Sequence, residues 1–286
     1  MSAAVPSMPG TRRFALLRHG RLLTGAILTG ALVAVALLSL LWTPEVPTRL
    51  RILAKLKPPL SEGLLGTDQL GRDILSLLMV GTANSLSIAV AAVVLGAATG
   101  TLIGIVAAMR RGALDALLMR MMDAVFAFPP ILSAMMLSAL LGSGRLNATV
   151  AIGLFTVPVF ARLARADTKR ILRRDYILAA RGAGKNAARI AVDHVLPNIA
   201  GAILVQVTIQ LGLAILTESG LGFLGLSISP PAPSLGRMLA DAQTYLTLAP
   251  WMALAPGITI ALIVAGFNLL GDGLRDRLDV RRDVSA

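Results

Sequence analysis

The sequence predicts an all-α, polytopic membrane protein with six transmembrane helices, and three observations carry that expectation. The 286 residues are 56% apolar and 15% charged, with a mean hydropathy of +0.77; a soluble domain carries about 25% charged residues. Residues 22–44, 74–109, 124–144, 195–217 and 242–271 contain no Asp, Glu, Lys or Arg, and a bilayer core of about 30 Å needs about 20 such residues as helix. The basic residues, finally, cluster in alternate connections.

Spans are expected near 22–42, 82–108, 122–142, 147–165, 200–219 and 252–271. With the amino terminus inside, the inner segments hold Arg12, Arg13, Arg18 and Arg21, then Arg110, Arg111 and Arg120. The third holds Arg162, Arg165, Lys169, Arg170, Arg173, Arg174, Arg181, Lys185 and Arg189, and the last Arg275, Arg277, Arg281 and Arg282. These are 20 of the 27 basic residues. Such an excess marks the cytoplasmic side, so both termini are expected there. The formal net charge of +12 then needs no nucleic acid to explain it. Without cysteine, the chain has no disulfide, thiolate metal site or Cys nucleophile.

In chain order, residues 1–21 read as a basic cytoplasmic tail. Residues 22–80 read as the first span, an outer segment and an interfacial helix. The first span is longer than a signal-peptide core and lacks a small-x-small cleavage site, so it is read as retained. Pro44, Pro47, Pro58 and Pro59 break up the outer segment, whose Arg49, Arg51, Lys55 and Lys57 oppose Glu45 and Glu62. These bases run against the inner excess, and the segment is expected to lie partly on the membrane surface. In "LLGTDQLGRDILSLLMVG" (64–81), Thr67 or Asp68 can cap a helix start. As one helix, residues 74–109 would be roughly 54 Å long, so a turn is expected near Gly81.

Residues 81–275 read as a five-helix core and 276–286 as a second cytoplasmic tail. Gly96, Gly100 and Gly104 form a double Gly-x-x-x-Gly ridge on which a second helix can approach closely; packing inside the chain is favoured over dimerisation. Phe128-Pro129-Pro130 and Pro158 interrupt the third and fourth spans, because proline removes an intrahelical hydrogen bond. Residues 166–199 form a long basic inner loop. Residues 219–250, rich in Gly and Pro, suggest a re-entrant or surface-lying outer cap.

Two motifs tempt a nucleotide reading and fail it. "ARGAGKN" (180–186) ends like a P-loop, but Ala179 stands at the first Gly position and Asn186 at the Ser/Thr position that would hold magnesium. Gly220-Leu221-Gly222-Phe223-Leu224-Gly225 follows a span and lacks the strand that dinucleotide binding requires. His19 and His194 have no adjacent carboxylate cluster to complete a metal site, and no Gly-x-Ser-x-Gly elbow is present. Ionisable residues in the spans are sparse, with Asp123 at an inner boundary and Glu218 at an outer one. Glu218, Asn84, Gln206 and Gln210 are the candidates for an outer gate or path; for Glu218, a carboxylate reaching back to the interface is an equal alternative.

The inner segment "DYILAARGAGKNAARIAVDHVLPNIAG" (175–201) resembles the EAA loop of permease subunits in bacterial ABC importers. Ala179-Ala180, Gly184 and Leu196-Pro197 keep the family spacing, while Leu178 stands where the family has Glu. "LLGTDQLGRDILS" (64–76), "ESGLGFLGLSISPPAPSLGRMLADAQTY" (218–245) and "PGITIALIVAGFNLLGDGLRDRLD" (256–279) resemble the peptide/nickel branch, and within it the second permease of the pair.

The resemblance implies an ABC importer type I permease in a bacterial cytoplasmic (inner) membrane. The chain would form half of a path for small peptides, with nickel, opines and glutathione as neighbouring substrates. It implies a homologous second permease, an external substrate-binding protein and two cytoplasmic ATPases that carry ATP and magnesium, leaving no cofactor or catalytic site in this chain. Residues 175–190 would form a coupling helix seated on one ATPase. Its expected contacts are Asp175, Tyr176, Ala179, Ala180, Arg181, Gly184, Lys185 and Arg189, with Pro197 ending the helix. Arg181, Lys185 and Arg189 would form one basic stripe at helical spacing. A self-sufficient secondary transporter or channel is the competing class, disfavoured by the few membrane charges and the long inner loop. An intramembrane enzyme lacks a visible nucleophile.

Overall fold

A computed structural model of the chain describes residues 10–110 and 112–283; Arg111 and residues 1–9 and 284–286 lie outside the described residues, as do the side chains of 10–19, 130 and 279–283. The elements are α1 (Gly10–Leu38), α2 (Ile74–Arg110), α3 (Gly112–Phe126), α4 (Pro130–Leu141), α5 (Arg145–Ile171), α6 (Asp175–Gly182), α7 (Ala187–Ile190), α8 (Leu196–Phe223), α9 (Leu235–Ala242) and α10 (Trp251–Asp283). Five helical stretches are long and apolar enough to cross a membrane: those containing α1, α2, α5, α8 and α10. The expected third span is broken, with α3 and α4 meeting at 85°, and the total is six when that pair counts as one crossing. The break falls at Ala127–Pro129, just before α4.

Small residues decide which helices pair. Gly96, Gly100 and Gly104 of α2 face Thr156, Val157, Phe160, Ala161 and Ala164 of α5. The glycine ridge is therefore used inside the chain. In lipid no hydrophobic force draws helices together, so close van der Waals contact along such a ridge supplies much of the association. A second ridge joins α1 to α10: Gly25 sits on the Leu269–Leu270 backbone, Gly266 on Thr29 and Gly273 on Leu22. Between these pairs runs α8, and Phe160, Ile88, Ile215, Leu221 and Ile263 fill the buried centre.

Two local expectations give way. No turn occurs at Gly81: α2 runs unbroken from Ile74 to Arg110, and Gly81 packs on Ser234, Leu235 and Met238 of the outer cap. The helix also starts later than Thr67 or Asp68. Asp68 instead accepts the backbone N–H groups of Leu70 and Arg72, both at 2.8 Å, while Gly71 adopts φ +72° and breaks any helix there. Asp73 is the residue that caps α2, its Oδ2 accepting the Ser76 N–H at 2.8 Å and the Ser76 hydroxyl at 2.7 Å.

Candidate functional site

The inner loop is built as a stop followed by a fresh start. α6 buries Ile177 against Leu172, Ile190 and Val195, and Ala180 is buried as well. It ends in a Schellman closure: Gly184 N–H donates to Arg181 O at 2.9 Å and Lys185 N–H to Ala180 O at 3.1 Å, with Gly184 at φ +79°. That pattern satisfies the last carbonyls of a helix and needs a left-handed residue, which glycine supplies. Asn186 then caps α7, its side chain accepting the Arg189 N–H at 2.9 Å. The Gly-Lys-Asn that suggests a phosphate loop in sequence is a helix stop and a helix start.

This geometry corrects the single-helix expectation. Arg181 and Lys185 stand on opposite sides of the break, so the three bases form no continuous stripe. Lys185 turns back on its own chain, to Asp193 at 2.9 Å and His194 at 3.1 Å, and the Tyr176 ring lies tilted against the imidazole, 6.0 Å between ring centres. Ala180 faces inward, whereas Asp175, Tyr176, Leu178, Ala179, Arg181, Gly184 and Arg189 are exposed. Nothing lies within 4 Å of a methyl group placed on Gly182 or Gly184.

Pro197 ends no helix. Residues Ala187–Phe223 form one helical run in which Ala191–Val195 is a π-helical turn, Leu196 N–H donating to Ala191 O. A proline inside an α-helix removes one hydrogen bond and crowds a carbonyl one turn back. The wider π turn opens the backbone just where Pro197 demands it.

Two inner ion pairs escape a reading based on charge counting. Asp115 of α3 receives Arg165 of α5 through Nε at 2.5 Å and a second nitrogen at 2.8 Å, and Lys169 at 2.6 Å. Asp123 receives Arg162 at 2.7 Å, and that guanidinium lies over the Phe126 ring at 4.4 Å. Bases counted in the inner excess thus also pin α3 to α5.

On the other side, the four gate candidates fall into two groups. Glu218 is fully buried and its Oε1 accepts the Ser227 hydroxyl at 2.8 Å, so it neither reaches back to the interface nor faces an open path in this conformation. Asn84 donates to Pro233 O at 2.7 Å and accepts from Arg145. Both residues hold the cap, residues 224–245, onto the bundle. Gln210, buried, and Gln206, half-buried, lie about 12–18 Å farther down α8 from Glu218. The Gly-x-Gly-x-x-Gly letters include the last turn of α8, where Gly222 packs on the Ser234 hydroxyl, and Gly236 of α9 rests on the Ser219 backbone. They serve close packing.

The chain is thus a membrane-type helical bundle with a broken third span and an exposed inner helix–turn–helix loop. Residues 100–284 match the family described as "Binding-protein-dependent transport system inner membrane component". The chain belongs to that family, the permease subunits of binding-protein-dependent ABC importers. It is 42% identical over 221 residues to a glutathione transport system permease protein, GsiD, of Pectobacterium atrosepticum, covering 77% of this chain and 73% of the relative. It is 44% identical over 216 residues to a di/tripeptide transport system permease protein, DppC, of Pseudomonas aeruginosa, covering 76% and 71%. Among solved structures, a chain of the inward-facing MetNI methionine ABC transporter aligns with a TM-score of 0.58 at 18% identity, over 68% of this chain and 93% of that one.

Proposed function

We propose that the chain forms half of a translocation path for di- and tripeptides or a peptide of similar size, such as glutathione, across a bacterial inner membrane, with both termini in the cytoplasm. Its relatives' transport of glutathione and of di/tripeptides supports that substrate class. A homologous permease supplies the other half, an external binding protein delivers the peptide, and two cytoplasmic ATPases bind ATP and magnesium.

The observation that carries the reading is the exposed side of α6. Tyr176, Leu178, Ala179, Gly182 and Ala183 leave a largely apolar surface open, with Tyr176 and Leu178 standing out beside the small Ala179, Gly182 and Ala183, on a loop whose basic excess argues for the cytoplasmic side. Arg181 and Arg189 rim it with charge. An ATPase groove seated there pushes on α6, and the closed turn at Gly184 passes the push to α8. Docking alone shifts nothing: the ATP-bound ATPase must contact one conformation of the permease better than the other.

Co-expression with the neighbouring transport genes, affinity purification in mild detergent and subunit identification test this reading. The expected result is one second permease and two ATPases, with ATP hydrolysis stimulated by loaded binding protein and di- or tripeptides. Recovery of this chain alone, with transport after reconstitution by itself, would overturn it in favour of a secondary transporter or channel.

A further inference from the structure

The outer segment between α1 and α2 uses its bases unequally. Arg51 turns inward, donating to Gly71 O at 3.2 Å and pairing with Glu45 at 2.8 Å and Glu62 at 3.8 Å. Arg49, Lys55 and Lys57 are exposed and form no ion pair among the described residues. The nearby acids are committed elsewhere: Asp68 to Arg72 at 2.6 Å, Asp73 to the α2 cap, and Asp241 to Arg237 at 3.1 Å. Three positive charges are left over.

Beside those bases the segment exposes large apolar side chains instead of hiding them. Leu53 is 98% exposed, Leu60 82% and Ile52 78%. The shape that presents them is held. Thr67 accepts the Lys57 N–H at 2.9 Å and donates to Ala54 O, and Leu56 and Leu60 keep positive φ values of +54° and +66°. Non-glycine residues adopt that region only where the surroundings impose it, often at binding sites.

Two tryptophans bear on the level of the segment. Trp42 and Trp251 are the only two tryptophans, Trp42 a few residues past α1 and Trp251 at the start of α10. Tryptophan concentrates at the membrane–water boundary. Trp251 Nε1 donates to Thr67 O at 3.4 Å, and Thr67 is the residue that pins Ala54 and Lys57. That preference argues for placing the exposed leucines and unpaired bases at headgroup level.

We propose that residues 49–60 form a foot that rests on anionic phospholipid, Ile52 and Leu53 entering the interface while Arg49, Lys55 and Lys57 meet the phosphates. The foot anchors the outer end of α2, whose first residue, Ile74, lies buried beneath the same loop. Apolar insertion beside a cluster of bases is the combination that retains a segment at a charged membrane surface.

The chain has no cysteine, so Leu53→Cys accepts a single environment-sensitive fluorophore, read against a complex carrying the unlabelled chain. The test uses the co-purified assembly in nanodiscs, which expose both leaflets and make the result independent of orientation. Brominated phosphatidylglycerol is expected to quench the label, and pure phosphatidylcholine with the same bromination to quench it much less. Replacing Arg49, Lys55 and Lys57 by Ala is expected to lower lipid contact about fivefold for each base removed at low salt, with subunit composition and ATP hydrolysis retained. Absence of quenching, or quenching indifferent to lipid charge and to the triple substitution, would overturn the proposal. So would a label protected only when the external binding protein is added, which would assign the face to that protein. Loss of the ATPases from the assembly would count against the permease reading and not against the foot.

Discussion

Asp115 and Arg165 meet across α3 and α5 in a two-point ion pair, 2.5 and 2.8 Å long, with Lys169 closing on the same carboxylate at 2.6 Å. The pair joins the first half of the broken span to the helix beside it. Asp115→Asn is expected to destabilise the protein by about 1.5–3 kcal/mol, the range for a hydrogen bond to a charged group, because two cations lose their common partner. Thermal unfolding in detergent measures it, with Asp123→Asn as the comparison. That second pair is more exposed, at 47% and 64% for its side chains, and its loss is expected to cost less than about 1 kcal/mol. Equal, negligible effects would mean that α3 is held by packing alone.

A methyl group on Gly100 would overlap the Val157 carbonyl oxygen of α5. Backbone cannot move aside as a side-chain tip can, so Gly100→Ala is expected to push α2 and α5 apart at a cost of about 1–3 kcal/mol. Gly182→Ala, in open space within α6, is expected to be neutral or to stabilise by up to about 1 kcal/mol. Comparable melting temperatures for the two variants would refute the ridge as the contact that sets this helix pair.

At Gly184 the constraint is conformation and not room. Its φ of +79° is costly for a β-branched side chain, yet nothing crowds its Cβ. Gly184→Asn is expected to preserve the Schellman turn, since Asn tolerates the left-handed region. Gly184→Val is expected to open the turn, and Gly184→Trp to add bulk beside the proposed ATPase face as well. Quantifying ATPase subunits recovered per permease ranks them: Asn near the parent chain, Val lower, Trp lowest, with membrane insertion equal throughout. A Trp variant with full recovery would exclude this turn from the docking surface.

Glu218 separates charge from shape. Glu218→Gln keeps an acceptor for Ser227 and nearly the same volume, so a stable protein is expected. Glu218→Ala leaves the Ser227 hydroxyl unpaired and opens a void, with an expected loss of about 2–4 kcal/mol. A Gln variant that folds normally but transports poorly would show that the carboxylate itself takes part in the cycle, beyond holding the cap.

These variants also mark where reading the sequence succeeded and where it stopped. The class of fold followed from charge-free runs, because lipid imposes helices of a given length. The Gly96–Gly100–Gly104 ridge was legible because small residues at four-residue spacing have one use in such a helix. The start of α2 was not, since Thr67, Asp68 and Asp73 are all competent caps; Gly71, three residues after Asp68, was the available sign that a helix starting there would break. The coupling loop was misread as one helix for a similar reason. Spacing aligned Arg181, Lys185 and Arg189, while Gly184 followed by Asn186, a stop and then a cap, was the stronger signal. Asp115 carried no sign at all, because its partners lie 50 and 54 residues away.

The helical run from Ala187 to Phe223 begins in the inner loop and ends under the outer cap, about 54 Å away. A member that stiff behaves as a lever: tilted about its waist near Gly212, where it passes Asn268 and Val264 of α10, its two ends move in opposite directions. The inner end carries the π turn at Ala191–Val195, where the α-helical ladder is interrupted, and near the far end Glu218 accepts the Ser227 hydroxyl and ties the run to the cap.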